Sequence, residues 1–187
     1  KKVLEEKVEI QEGIEISLEG SVIKVKGTNG ELSRDLFSPI INIEKKENKI
    51  ILSSSITTRK SFKILRTFAA HIKNMMRGAK ENFKYELKIC SGHFPANIKK
   101  ENDIIIISNF LGEKIPRKSK ILADVQVDIK GDLIIVQSPN IEKAGQTAAN
   151  LEQATKIKKR DRRVFQDGCY IISKPWKWTK HYNLEKK

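Results

Sequence analysis

The chain has 187 residues, 39% of them hydrophobic, which is enough for one large packed domain or two small ones and too many for wholesale disorder. No run approaches the ~20 apolar residues of a membrane-spanning helix. The opening stretch, Lys1 to Ile10, is charged where a signal peptide is apolar, so a soluble, intracellular protein is expected. A net charge of +14 with a pI near 9.7 implies a polyanionic partner, because each Lys or Arg that neutralises a phosphate releases a counterion. An anionic membrane fits less well, since no helical pattern sets a basic face against exposed Trp, Phe or Leu.

In chain order, Ile14 to Leu18 and Val22 to Val25 alternate apolar and polar residues, as half-buried strands do. Gly27-Thr28-Asn29-Gly30 supplies a turn, with glycine and asparagine suited to positive φ. It satisfies a literal GxxG, the phosphate-clamping loop of one RNA-binding module, but it lies between strands where that module needs helices. A hairpin turn is the better reading. Leu32 and Leu36-Phe37 continue into a further strand region, and Ile41 to Glu44 pairs with Ile50 to Leu52 around Lys45 to Lys49. A helix follows from Thr58 or Arg59. Phe62, Leu65, Phe68/Ala69, Ile72 and Met75/Met76 recur every three to four positions on its core face, and Gly78 is placed as its end.

The second half repeats this plan. Tyr85 to Ile89 alternates, and Ile104 to Ile107 suits a buried strand. Gly112-Glu113 corresponds to Gly30-Glu31, Val125 to Asp128 matches Ile41 to Glu44, and Leu133 to Val136 matches Lys49 to Leu52. Pro139-Asn140 opens a second helix with Ile141, Ala144, Ala148, Leu151 and Ala154 on one face. Strands clustered before a helix, given twice, predict an α+β fold of two similar lobes from an internal duplication. Each lobe is an antiparallel sheet with one helix packed on it. The lobes are expected at 1–80 and 81–187.

Residues capable of chemistry are scattered. There is no Walker loop, dinucleotide fingerprint, nucleophile elbow or zinc-protease helix, so no catalysis and no cofactor are expected. His71, His93 and His181 are not at zinc-ligand spacing from one another or from a cysteine, which predicts no metal site. Cys90 and Cys169 lie in apolar, strand-like contexts and read as reduced, buried thiols.

The strongest local signal is Lys156 to Arg163, K-I-K-K-R-D-R-R. Residues 153–187 hold eleven Lys and Arg against Asp161, Asp167 and Glu185, a net +8 of the whole chain's +14. Phe165, Tyr170, Trp176, Trp178 and Tyr182 interleave with these charges. They can stack on bases or pack beneath backbone contacts, with core packing favoured for Phe165 and Tyr170 and docking on a partner for the two tryptophans.

The stretch Gln153 to Lys174 is similar, at nearly every fixed position, to the C-terminal signature of the L-six family of large-subunit ribosomal proteins in its archaeal and eukaryotic cytosolic form. Cys169 departs from it, standing where an aliphatic residue is usual. Gly92-His93-Phe94-Pro95, Asn109 to Lys114, Gly145 to Asn150, His71 to Met75 and Gly78 to Phe83 resemble further landmarks of that family, so the resemblance spans essentially the whole chain. It implies two α+β lobes without enzymatic activity, in the cytoplasm on the ribosome. The C-terminal lobe would dock on large-subunit rRNA near the sarcin–ricin loop, with neighbouring ribosomal proteins and translational GTPases close by and the first lobe more exposed. Carried onto this chain, rRNA contact is expected at Lys156, Lys158, Lys159, Arg160, Arg162, Arg163, Lys174 and Lys177. A second basic loop holds Lys114, Arg117 and Lys118. Asp167-Gly168 is expected to be a tight turn aiming the basic strand. No membrane and no small-molecule substrate are expected. The rival readings are a free-standing RNA-binding protein or RNA chaperone, and an RNA-modifying enzyme that would need a cofactor or metal.

Overall fold

Six strands and a long helix form from the first half of the chain in the computed structural model, which describes residues 4–161 and 163–175. The strands are β1 (Leu4–Glu9), β2 (Glu15–Glu19), β3 (Val22–Gly27), β4 (Gly30–Asp35), β5 (Ile41–Lys46) and β6 (Lys49–Ser54), and α1 is Arg59–Lys80. They make two three-stranded sheets, ordered β1-β6-β5 and β2-β3-β4, with every pairing antiparallel. The alternating residues Val8, Ile16, Ile23, Val25, Ile50 and Leu52 face one core, where Leu65, Ala69, Ile72 and Met76 of α1 join them. Each fully buried aliphatic side chain of this set contributes about 1.5–3 kcal/mol. Phe62, expected on the core face of α1, is 39% exposed and lies instead against its neighbour Arg66, 4.5 Å from guanidinium to ring centre. Leu36 is buried just beyond β4, but Phe37 is 74% exposed, so no strand continues through this pair.

Thr58 caps α1, its hydroxyl accepting the Ser61 N–H at 3.1 Å. Gly78 does not end the helix. The last turn runs through it to Lys80, and the reason for a glycine is space, because a Cβ there would collide with the Pro139 carbonyl oxygen. The C-terminal carbonyls of α1 are satisfied from outside the helix by the Gly27-to-Gly30 hairpin. Asn29 donates its backbone N–H to Ala79 O at 3.0 Å and its side-chain amide to Lys80 O at 3.1 Å. Gly27 permits this approach, since its missing Cβ would stand 2.6 Å from Ala79 O. The GxxG is therefore a hairpin, as expected, and its specific work is to cap a helix.

From the second half come β7 (Phe83–Cys90), β8 (Asn97–Glu101), β9 (Ile104–Ser108), a 3-10 turn at Phe110–Gly112, β10 (Arg117–Lys120), β11 (Gln126–Lys130), β12 (Leu133–Ser138), α2 (Ile141–Ala154) and β13 (Gly168–Ser173). The sheets are ordered β10-β9-β8 and β11-β12-β7-β13. Strand for strand this repeats the first half, with β13 added, so the fold is a duplicated α+β. The two compact units are Lys1–Phe83 with Ser138–Ala144, and Lys84–Gln137 with Gly145–Lys187. Leu87, Ile105, Ile107, Val127, Ile134, Val136, Ala148 and Leu151 are fully buried in the second unit.

One expected equivalence fails. Val25 pairs with Leu32 across the two-residue hairpin of the first unit, whereas the corresponding Ile107 pairs with Arg117. The second unit thus replaces that hairpin with the longer connection Asn109 to Pro116. Gly112-Glu113 belongs to this insertion and has no register counterpart in Gly30-Glu31.

Candidate nucleic-acid interface

The basic run begins where α2 stops. Asn140 caps the start of α2, its side-chain oxygen accepting Glu142 N–H at 2.9 Å. At the far end Thr155, 2% exposed, replaces the helical pattern with a crossed one. Its hydroxyl accepts Cys169 N–H at 2.9 Å and reaches the carbonyl oxygens of Leu151 and Glu152, each at 3.2 Å. Lys156 to Arg163 therefore lies in the connection from α2 to β13 and is not a helix end. Ile157, 8% exposed, pins its middle to the core, and Lys159 takes a left-handed backbone (φ 57°).

Asp167 holds the other end. Its side chain is 3% exposed; one carboxylate oxygen accepts the backbone N–H groups of Gly92 at 2.6 Å and His93 at 3.1 Å, while the other accepts the His93 ring N–H at 2.7 Å. Burial pushes this carboxyl up, but the His93 backbone and ring bonds and the Gly92 bond outweigh it and leave Asp167 below the usual carboxylate range. The expected tight turn at Asp167-Gly168 is thus corrected. Asp167 is a buried anchor for a loop 74 residues earlier, and Gly168, at φ 153°, already begins β13 opposite Cys90. From this anchor a stack rises. The Phe165 ring lies on His93, centroids 4.6 Å apart and planes within 20°, and the Arg160 guanidinium lies 4.8 Å above Phe165. Phe165 is half-buried here, and Tyr170, expected in the core, is 41% exposed.

Arg117 joins the second basic loop to the first. It grips Glu113 with two nitrogens at 2.6 and 2.8 Å, donates to the carbonyl oxygens of Ala154 at 2.9 Å and Lys156 at 3.1 Å, and lies 4.4 Å over the Phe110 ring. Glu113 is correspondingly held below its ordinary value, first by that hydrogen bond and against the opposing pull of burial. In the first unit a hairpin satisfies the carbonyls ending the helix; in the second, a guanidinium does so.

Around these struts the expected contact residues fall into three groups. Lys156, Lys158, Lys159, Lys114, Lys118 and Lys174 are exposed, with no acidic partner among the described residues. Arg160 and Arg117 are stacked on rings, and the Arg163 side chain, 90% exposed, is paired with Asp161 at 2.9 Å. Arg162 and Lys177 lie outside the described residues, as do Trp176, Trp178 and Tyr182. Sequence reasoning missed Thr155, His93, Phe110 and Glu113 as the groups that shape this surface. The partners of Thr155 and His93 are distant in the chain, and the pairing of Phe110 and Glu113 with Arg117 depends on the fold of the loop that carries them, so only the basic charge run is visible locally.

Burial pushes the Cys169 thiol up to about 11, with the Thr155 bond opposing, so it stays protonated at neutral pH; Cys90 is only half-buried. Among the described residues no group of three or more His, Cys, Asp or Glu could hold a metal ion, and no helix is long and apolar enough to cross a membrane.

The chain matches the family model described as Ribosomal protein L6 in two segments, residues 10–82 and 94–168, one from each repeat. It is 45% identical over 171 residues to the large ribosomal subunit protein uL6 of Methanobrevibacter smithii, covering 91% of this chain and 96% of that one. It is 44% identical over 179 residues to the protein of the same name from Archaeoglobus fulgidus, covering 92% and 91%. For Ignicoccus hospitalis the identity is 43% over 173 residues, covering 89% and 92%.

Proposed function

This chain belongs to the ribosomal protein L6 family, and from that premise we propose that it is a structural constituent of the large ribosomal subunit, working in the cytoplasm and binding large-subunit rRNA through the basic loop of its second unit. The contact residues are Lys156, Lys158, Lys159, Arg160, Arg162, Arg163, Lys174 and Lys177, with Lys114, Arg117 and Lys118 beside them. The site is rRNA near the sarcin–ricin loop, with other large-subunit proteins and translational GTPases as neighbours. The lobes, 1–80 and 81–187, divide the work, the second carrying the RNA contacts. The protein acts by positioning and not by catalysis.

The observation that carries this reading is a run of exposed lysines on a loop fixed from both ends by buried groups, Thr155 and Asp167. A loop held in one conformation loses little freedom when it meets a rigid RNA surface, so more of the phosphate attraction appears as affinity. Lysines without acidic partners give up no ion pair on binding. Phosphate contacts of this kind orient the protein, and the folded shape of the RNA supplies the selectivity.

Salt titration of binding to in vitro transcribed large-subunit rRNA tests the proposal. Lys158→Glu with Lys159→Glu should weaken binding and reduce the slope of log K against log salt by about 1–2, since each lost phosphate contact removes roughly one counterion released. The same reversal at Lys63 and Lys73 on α1 should leave the slope unchanged. Equal effects from both pairs would contradict the assignment to the second unit. Similar affinity for unrelated RNAs would favour a free-standing RNA chaperone.

A further inference from the structure

The basic loop carries a column of stacked groups that rises from a buried carboxylate. At its foot Asp167, with 3% of its side chain exposed, accepts the His93 ring N–H at 2.7 Å. The Phe165 ring lies on that imidazole, and the Arg160 guanidinium lies over Phe165 at 4.8 Å. The backbone is shaped to bring residues 160 and 165 together. Lys159 takes a left-handed conformation just before Arg160, and the Asp161 carbonyl accepts Phe165 N–H at 2.9 Å, turning the chain back. Arg160 itself is exposed, and among the described residues its guanidinium has no hydrogen-bond or ion-pair partner. Two neighbouring groups are committed elsewhere. The Arg163 guanidinium is held by Asp161 at 2.9 Å. The Glu113 carboxylate feels the charge of Arg160 but spends both oxygens on Arg117. Arg160 therefore keeps one face on a ring and leaves the other to solvent.

We propose that the outer face of Arg160 stacks on one unpaired nucleobase of the rRNA, which continues the column as its outermost member. The inference rests on the RNA-binding reading above and gives Arg160 a task different from that of the lysines before it. A guanidinium donates only in its own plane, so its N–H groups meet anions at the rim and not above the face. A phosphate fits that rim, whereas a planar ring fits the face. Seated over Phe165, the guanidinium turns outwards a broad surface that is more weakly hydrated than an ammonium. Bases in RNA stack in this way on aromatic rings and on guanidinium planes, and unpaired bases are the ones with a face to give. The column also prepares the site before RNA arrives. An arginine free in solvent loses side-chain freedom on binding; one already seated on a ring loses less. A carboxylate of a protein partner would take the rim, as Asp161 does at Arg163, and would leave the face unused.

The test uses the full chain and in vitro transcribed large-subunit rRNA, and it sets flatness against charge at position 160. Arg160→Lys keeps the charge without the plane, and Arg160→Tyr keeps a plane without the charge. Stacking predicts that Arg160→Lys weakens binding about tenfold, the effect of losing one stacked base, with the salt slope unchanged. Arg160→Tyr, whose ring can still pack on Phe165, should bind more tightly than Arg160→Lys. Phe165→Leu removes the ring beneath an intact Arg160 and should weaken binding, again without a change of slope. Because Arg160 is exposed, its two variants fold and decide the matter even if Phe165→Leu does not. Suppose instead that Arg160→Tyr binds less tightly than Arg160→Lys, while Lys158→Glu with Lys159→Glu still lowers the slope. Arg160 is then a phosphate contact, the stacked base is overturned and the phosphate surface stands. If neither the variants at position 160 nor the lysine reversal changes affinity or slope, the RNA-binding reading itself falls.

Discussion

Asp167 carries no contact to RNA in this account and Arg117 has a second task besides its proposed contact, and both decide whether the contacting lysines are in place. Asp167, with 3% of its side chain exposed, satisfies two backbone N–H groups and one ring N–H. Asp167→Asn removes the charge from those bonds and should destabilise the second unit by about 1–3 kcal/mol at pH 7. The pH dependence follows from the direction of its shift. A carboxyl held below its unfolded value of about 3.9 contributes fully above that pH and loses its contribution as the pH falls through the lower native value. Urea denaturation of both proteins should show a constant gap above about pH 4 that closes below it. A gap independent of pH down to acid unfolding would contradict the charged anchor. Arg117→Lys keeps the charge but cannot hold Glu113, Ala154 O and Lys156 O together. The expected cost is about 1–2 kcal/mol, with faster amide hydrogen exchange confined to residues 155–160; unchanged exchange there would remove Arg117 from its role as strut.

Elements were legible in the sequence wherever one physical signal dominated. Period-two alternation marked β2, β3 and β7, a short apolar run marked β9, the repeat of the first half marked β12, the 3.6-residue recurrence marked α1 and α2, and Asn140 announced its own helix. β1 was hidden because Glu6 takes an inward position between Leu4 and Val8, breaking the apolar alternation. Gly78 misled for a related reason. Glycine near the end of an apolar pattern usually marks a C-cap, and only the tertiary position of Pro139 shows that this one makes room inside the helix. The basic loop was legible as charge, but its fixing groups were not, because Asp167 and His93, like Arg117 and Ala154, meet only in the fold. Gly78→Ala separates the two readings of that glycine. Helix propensity alone favours alanine by about 1 kcal/mol, whereas overpacking costs about 1–3 kcal/mol. The collision is with backbone, which cannot swing aside, so urea denaturation should show a net loss of stability. A gain would mean that Gly78 is not a packing glycine.

At the scale of the whole molecule, duplication lets the second unit carry the proposed binding face while the first keeps the shared plan. Both units keep the same strand order and one helix, while the second adds β13 and exchanges a two-residue hairpin for a longer loop. Those two departures flank the basic surface, and residues 153–187 carry +8 of the +14 charge. The first unit retains the plan with a short hairpin as its helix cap. The proposed binding surface is thus confined to connections, where added length disturbs no core. The central claim, that this chain is a component of the large ribosomal subunit held there by charge, is tested most directly by sedimenting native cell extract through sucrose at stepped salt concentrations and probing each fraction for the chain. The account predicts co-migration with the large subunit at low and moderate salt, and release only at high salt. Recovery in the soluble fractions alone, even at low salt, would contradict it.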